Sequence, residues 1–438
     1  MQTLPGKAHR PHLAIAVLLS LATPTALVAQ NAPTTQKSDK AARPIPESTL
    51  NEIEEFLLDG KVNLDLRLRW EFADMQKLRR SNAVTARTRL GYTTKKWHGA
   101  QLAMQFEDNR AFGSKNYNAA GLNGRPGRTV IADPQDTELN QFYVDYHFKE
   151  LDEELPVFAR VGRQRIILND ARFVGNVGWR QLEQTYDAAL LQVEASPKLT
   201  ATYAYVWHVN RIFGASSGRN LDVQTHVVDV AYTGLPIGKL VGFAYLIDIE
   251  GAAKASTQTY GVRLTGKQDF DDEHAVKYAG SVAFQSDYAN NPNSFDALYV
   301  AAEGKFVWKD EGVFVGPGFE LLGSDSSKAA FATPLATLHK FNGFADAFLA
   351  TPIIGLRDYY LTAGAAVPGS KKSKLLATFH YFTGDDKSTE LGQEIDLVAI
   401  HPLSKRTKLL AKYANFNATR KGGLRDIQRF WLQLAFSF

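Results

Sequence analysis

Lys61-Val62-Asn63-Leu64-Asp65-Leu66-Arg67-Leu68-Arg69-Trp70-Glu71-Phe72 is the stretch that decides the fold. Apolar side chains at every even position alternate with polar or charged ones at every odd position, a period of two that belongs to an extended strand with unlike faces. One face carries four aliphatics and two aromatics; the other carries three cations, two carboxylates and an amide. At about 12 residues the run exceeds the usual strand of five or six and matches the length of a tilted membrane strand.

The pattern recurs outward from that segment to the end of the chain. Leu102, Met104 and Phe106 alternate with Gln101, Gln105 and Glu107, and Phe142, Val144 and Tyr146 alternate with Gln141, Tyr143 and Asp145. Val241, Phe243, Tyr245, Ile247 and Ile249 are assigned to the lipid side, as are Leu375, Ala377, Phe379 and Tyr381. The last strand follows the same rule, with Phe430, Leu432, Leu434, Phe436 and terminal Phe438 on one face. Short turns, as at 95–99, 196–198 and 234–238, alternate with longer polar segments at 111–136, 169–184, 211–222, 323–354 and 384–392. Short turns on one rim and long loops on the other, with about 18 strands and both termini on the short-turn rim, describe an all-β, antiparallel, up-and-down transmembrane β-barrel. A barrel of that size has room for an aqueous channel. Phe331, Phe341, Phe344 and Phe348 place the segment 323–354 back against the barrel mouth rather than out in water.

The N-terminus fits an exported protein. Lys7, His9 and Arg10 precede an apolar run from Leu13 to Leu21, and small residues surround Ala29 as at a cleavage site. The run is too short, against the roughly 20 residues required, to cross a bilayer as a helix. Residues 1–29 are therefore expected to be a signal peptide, 30–60 a flexible periplasmic segment with one short helix over 46–58, and 61–438 an outer-membrane barrel. The 438-residue chain has no cysteine, which excludes disulfides and thiolate metal sites. A net charge of +4 is too small to imply nucleic acid. His147, His208, His226 and His380 sit on separate strands without a nucleophile motif, so an enzyme is not expected. No cofactor motif is present, and the acidic runs at 271–273 and 385–386 read as solvated turn tips rather than metal sites.

Closure makes the first and last strands neighbours, so that Arg67, Arg69, Arg87, Arg89, Lys408, Lys412 and Arg429 are expected to share one lumenal wall. Arg160, Arg163 and Arg263 are further pore-lining candidates; strict alternation aims Arg163 at lipid, whereas a bulge at Gly162 would turn it inward. Glu107, Asp145, Asp229, Asp248, Glu303, Glu320, Glu394 and Asp396 fall inward by the same parity, so part of the positive charge must be paired across strands. Guanidinium groups bind carboxylates through a planar fork, and such a wall suits an anionic solute.

Val161-Gly162-Arg163-Gln164, Asp170-Ala171-Arg172-Phe173-Val174-Gly175, Trp179, Gln181 and Tyr186-Asp187 resemble the alginate export family of outer-membrane porins. The similarity returns at Phe331 to Pro334, His339-Lys340, Gly343-Phe344-Ala345-Asp346, Gly355-Leu356-Arg357-Asp358, His380-Tyr381-Phe382 and Leu391 to Asp396. The resemblance implies an 18-stranded monomeric barrel whose arginine-rich constriction passes a polyuronate, with loops able to occlude it. Export of an anionic polysaccharide is the expected function, and uptake of small anions or organic acids the alternative. The expected partners are outer-membrane lipid, the solute and a periplasmic export partner.

Overall fold

In a computed structural model, the structure describes residues 46–150, 156–367 and 369–438. The expected signal peptide, residues 1–29, and most of the expected lead-in lie outside the described residues. The chain forms an 18-stranded sheet in which neighbours along the sequence pair antiparallel. The first strand, Lys61–Met75, pairs with the second, Ser81–Thr93, on one side and with the last, Ile427–Ser437, on the other, which closes the barrel. Phe438 completes the seam: its backbone N–H donates to the Leu64 carbonyl at 2.8 Å, and its own carbonyl accepts from the Leu64 N–H at 3.1 Å. Among the described residues, closure leaves the 18-stranded sheet without an edge strand, the condition for a sheet to stand in hydrocarbon.

Period two becomes two environments. Leu68 is 49% exposed on the lipid side, whereas its neighbour Arg69 is 1% exposed in the interior. Trp70 and Phe430 pack at a tilt on the outer face across the seam, with ring centroids 5.4 Å apart. A short helix, Glu47–Leu58, rests on the short turn between the second and third strands. Lys95 pairs with Glu55 at 2.9 Å, Phe56 packs on Trp97, and the Tyr92 hydroxyl donates to the Leu57 carbonyl. Tyr92 lies on the same face as the lipid-side Leu90, so the helix sits at the rim and does not plug the lumen.

One strand reverses the expected facing. On Gly238–Ile249, the residues Val241, Phe243, Tyr245, Ile247 and Ile249 are buried inside the barrel, while Leu240, Gly242, Ala244 and Leu246 face out. The long loops enter the lumen and need an apolar surface to pack on, so here both faces of the strand are apolar and size does not mark the lipid side. Asp248 accordingly leaves the lumenal set; near the extracellular end its carboxylate accepts from Ser256 Oγ.

Leu68 lies midway along its strand on the lipid face, so Leu68→Arg is expected to destabilise the barrel in lipid by about 2–4 kcal/mol. Reversible unfolding in phospholipid vesicles measures it, and an unchanged midpoint would contradict the assigned facing.

Candidate pore constriction

Two loops that join each other descend into the barrel, beside a third, residues 117–135, that brings Asp133 to the wall. The first, residues 165–184, follows the strand Val157–Gln164; the second, residues 323–355, precedes Leu356–Val367. They join inside: Gly175 N–H donates to the Leu335 carbonyl at 2.9 Å, and Thr337 N–H to the Ala171 carbonyl at 3.0 Å. Tyr186, fully buried on the wall, donates its hydroxyl to the Gly175 carbonyl at 2.7 Å. Phe173 and Phe331 insert among Phe243, Tyr245 and Tyr299 on the inverted side of the wall, and Phe348 packs on Phe382 and Phe416. These rings supply the loops' hydrophobic anchor.

The opposite wall is ionic. Arg69, Arg87, Arg89, Lys412 and Arg429 are all buried there, and loop carboxylates meet several of them. Arg180, from the first loop, bridges Glu71 on the wall at 3.3 Å and Asp346 on the second loop at 2.7 Å. Arg429 shares Glu71 at 3.1 Å and donates to the Ala345 carbonyl at 2.9 Å. Arg69 lies 4.1 Å over the Trp179 ring, donates to the Trp179 carbonyl at 2.6 Å and faces Asp133 at 3.6 Å. Arg89 pairs with Glu107 and, at 3.5 Å, with Glu183, which Arg165 also holds. Against the penalty of burial, Arg89 and Arg165 hold the Glu183 carboxyl below its ordinary range.

Two acidic wall residues clamp the second loop. Asp396 accepts from the Phe344 N–H at 3.0 Å and Glu394 from the Ala345 N–H at 2.7 Å. Gly343 lies so close that a Cβ there would stand 2.4 Å from Glu394 Oε2, and its φ of 84° is in the left-handed region that favours glycine. Where the loops and wall converge sits His339. Its ring stacks on Trp179 at 4.7 Å, Nδ1 bonds Asp346 at 2.6 Å, and Nε2 accepts from Lys412 Nζ at 2.8 Å. The Lys412 ammonium in turn lies 3.0 Å over the Phe344 ring.

Not every guanidinium is satisfied. Arg67 has no carboxylate partner among the described residues; its Nη1 donates to the carbonyls of Gly178, Trp179 and Arg180, and its buried Nε bonds nothing. Arg87, its partner across the first two strands, pairs with Asp65 through Nη2 and leaves Nε and Nη1 without acceptors.

The other expected residues are distributed as follows. Asp145 forms a two-pronged pair with Arg160, with contacts of 2.6 and 2.8 Å, and the Arg160 guanidinium covers the Tyr143 ring. Arg263 lies on another part of the wall, held by Asp170 at 2.9 Å and Ser281 at 2.8 Å. Arg163 is not lumenal. Pairing runs without a register shift through Gly162, so Arg163 keeps the parity of lipid-side Val161 and is neutralised by Asp187 at 2.8 Å. Gly162 is required for a different reason: with φ at 124°, a Cβ would meet the Phe142 carbonyl at 2.3 Å. Asp133, Arg180, Glu183 and Asp346 were not among the expected site residues, because loop positions carry no alternation to announce their direction.

The family model for alginate export matches residues 60–313, more than half of the chain. The chain belongs to the alginate export family. No curated protein matches it in sequence. Among solved structures it is similar to OccAB2 of Acinetobacter baumannii, with 13% identity and a TM-score of 0.68 over 88% of this chain and 99% of that one. OpdK of Pseudomonas aeruginosa, solved with vanillate, gives 13% and 0.67 over 87% and 99%. OccK9 (OpdG) of the same organism gives 12% and 0.67 over 88% and 100%. At these identities the likeness concerns the fold. Fold and family together place this member of the alginate export family in the bacterial outer membrane as a channel, a transport protein rather than an enzyme.

His339 makes the seating of the loops dependent on pH. Burial, reinforced by Lys412 and Arg180 and opposed by Asp346, depresses its pKa well below the ordinary value. A released loop would restore a pKa of about 6.5. The released state therefore binds the proton first, and acidification below that value favours release, whereas neutral pH favours the seated loop. Conductance in planar bilayers is expected to rise between pH 7 and 5, and His339→Gln to lose most of that rise. Identical profiles for the two proteins would contradict it.

Proposed function

We propose that this channel passes an anionic polysaccharide of the alginate type outward along a wall bounded by Arg67, Arg69, Arg87 and Arg89, with the two seated loops as its closed state. The observation that carries the reading is the unfilled hydrogen-bonding capacity of Arg67 and Arg87. A buried guanidinium without an acceptor is costly, and a carboxylate arriving between the two would supply one through paired charge-assisted bonds. The compensated arginines beside them keep the passage from holding the solute too tightly, since each already has an internal carboxylate to return to. The direction and the polymer rest on membership of the alginate export family.

A second reading, uptake of small organic anions, is favoured by the size of the spaces around the seated loops. On the periplasmic side, a cavity of about 490 Å³ carries Arg160, Arg165 and Lys239 beside Asp229, and one of about 320 Å³ carries Arg263, Lys305 and Lys340 beside Asp170, Glu303, Glu320 and Asp358, so size rather than charge supports this reading. These volumes are of the order that holds a small molecule.

Arg67→Ala with Arg87→Ala is expected to abolish the anion preference of the open channel, moving the reversal potential in a salt gradient toward zero, and to weaken block by polymannuronate about tenfold or more. Retention of the wild-type reversal potential would refute the role given to these two residues. Block by polymannuronate but not by monomeric glucuronate favours the polymer, and the reverse favours small anions.

A further inference from the structure

Above the seated loops, on the extracellular side, lies a cavity of about 580 Å³ whose lining divides into two chemistries. Its cationic part is Arg211, Lys254 and Lys328. Among the described residues none of the three is paired with a carboxylate, and none of the lining residues is acidic. Arg172 also reaches the cavity, but its charge is balanced by Glu320 at 2.6 Å. The Arg211 guanidinium is held over the Phe213 ring at 4.9 Å, with Arg219 at 5.0 Å from the same ring, so two like charges are gathered at one rim. The remaining surface is largely apolar and includes Leu221, Ile249, Phe295, Phe348 and Leu349.

A uronate residue is a poor match to this space. It is hydroxylated around its ring, and every hydroxyl laid on an apolar floor loses water without gaining a partner. A molecule with one carboxylate and an apolar body satisfies both parts at once, the carboxylate on the cations and the body on the rings and aliphatics. We propose that this extracellular cavity is a binding site for an amphipathic monocarboxylate, such as an aromatic acid. The proposal rests on the reading of the protein as an anion channel and adds a solute class distinct from the polysaccharide. Part of the floor is the second loop itself, through Phe348 and Leu349, so a bound acid touches the segment that fills the lumen.

Calorimetric titration of the full chain in detergent tests it, with benzoate as the probe and glucuronate as the polar comparison. Benzoate is expected to bind about tenfold or more tightly than glucuronate. Lys254→Gln with Lys328→Gln is expected to weaken benzoate by a similar factor. Leu349→Ser, at a half-exposed lining position, should weaken benzoate while leaving the affinity for glucuronate unchanged. Correct folding of each variant is checked by its heat-dependent shift on a gel. Equal affinities for the two acids, or wild-type benzoate affinity in the double lysine variant, would overturn the proposal. Binding is read here without transport. An unselective channel that still binds benzoate counts against the channel reading alone; a selective one that does not bind it counts against this site alone.

Discussion

Glu71 is a carboxylate buried in the lumen of a barrel, and the arrangement of both inner loops follows from the need to neutralise it. Arg429 approaches it from the last strand and Arg180 from the first loop, and Arg180 then reaches Asp346 on the second. Burying such groups in place of apolar ones adds little stability, but removing one partner strands a charge in low dielectric, at a cost of about 3–5 kcal/mol. The network therefore acts mainly on specificity. It makes one seating of the loops much better than its neighbours, and it couples the two loops, since neither can leave without exposing the partner of the other.

The apolar half of the interior supplies what the ionic half does not. Phe173, Phe331 and Phe348 bury their rings against one arc of the wall, and the seated loops thereby acquire a hydrophobic anchor. Ionic and apolar arcs together hold the loops across the lumen between the extracellular and periplasmic cavities. A polar solute crossing the barrel would have to displace contacts on the ionic arc, where Arg67 and Arg87 already have donors to spare, rather than on the aromatic one.

Much of the fold was legible because a membrane barrel repeats one rule. Alternation from Lys61 to Phe72, the short turns on one rim and the terminal Phe438 all stand in the structure where the sequence puts them. The rule fails where the lumen stops being water. Val241 to Ile249 read as lipid-facing because they are large and apolar, yet they face a protein interior built by loops that come from elsewhere in the chain. The site was legible by half for the same reason. Strand arginines could be assigned to one wall from closure alone, whereas their counter-charges Asp133, Glu183 and Asp346 belong to loops whose course no periodicity encodes. Arg163 shows the limit from the other side: Gly162 suggested a bulge, but the glycine is there for a close approach to the Phe142 carbonyl, and parity is kept.

The second loop is seated inside the barrel rather than lying over its mouth. The chain has no cysteine, so a single introduced thiol reports on its own position. Ala345 is fully buried between the loop and the wall, whereas Leu349, four residues on, is about half exposed. The most direct measurement is the rate at which a membrane-impermeant thiol reagent labels Ala345→Cys and Leu349→Cys in the folded barrel at neutral pH. A seated loop gives rapid labelling at 349, and at 345 protection that disappears on unfolding. Equal and rapid labelling at both positions in the native protein would contradict it.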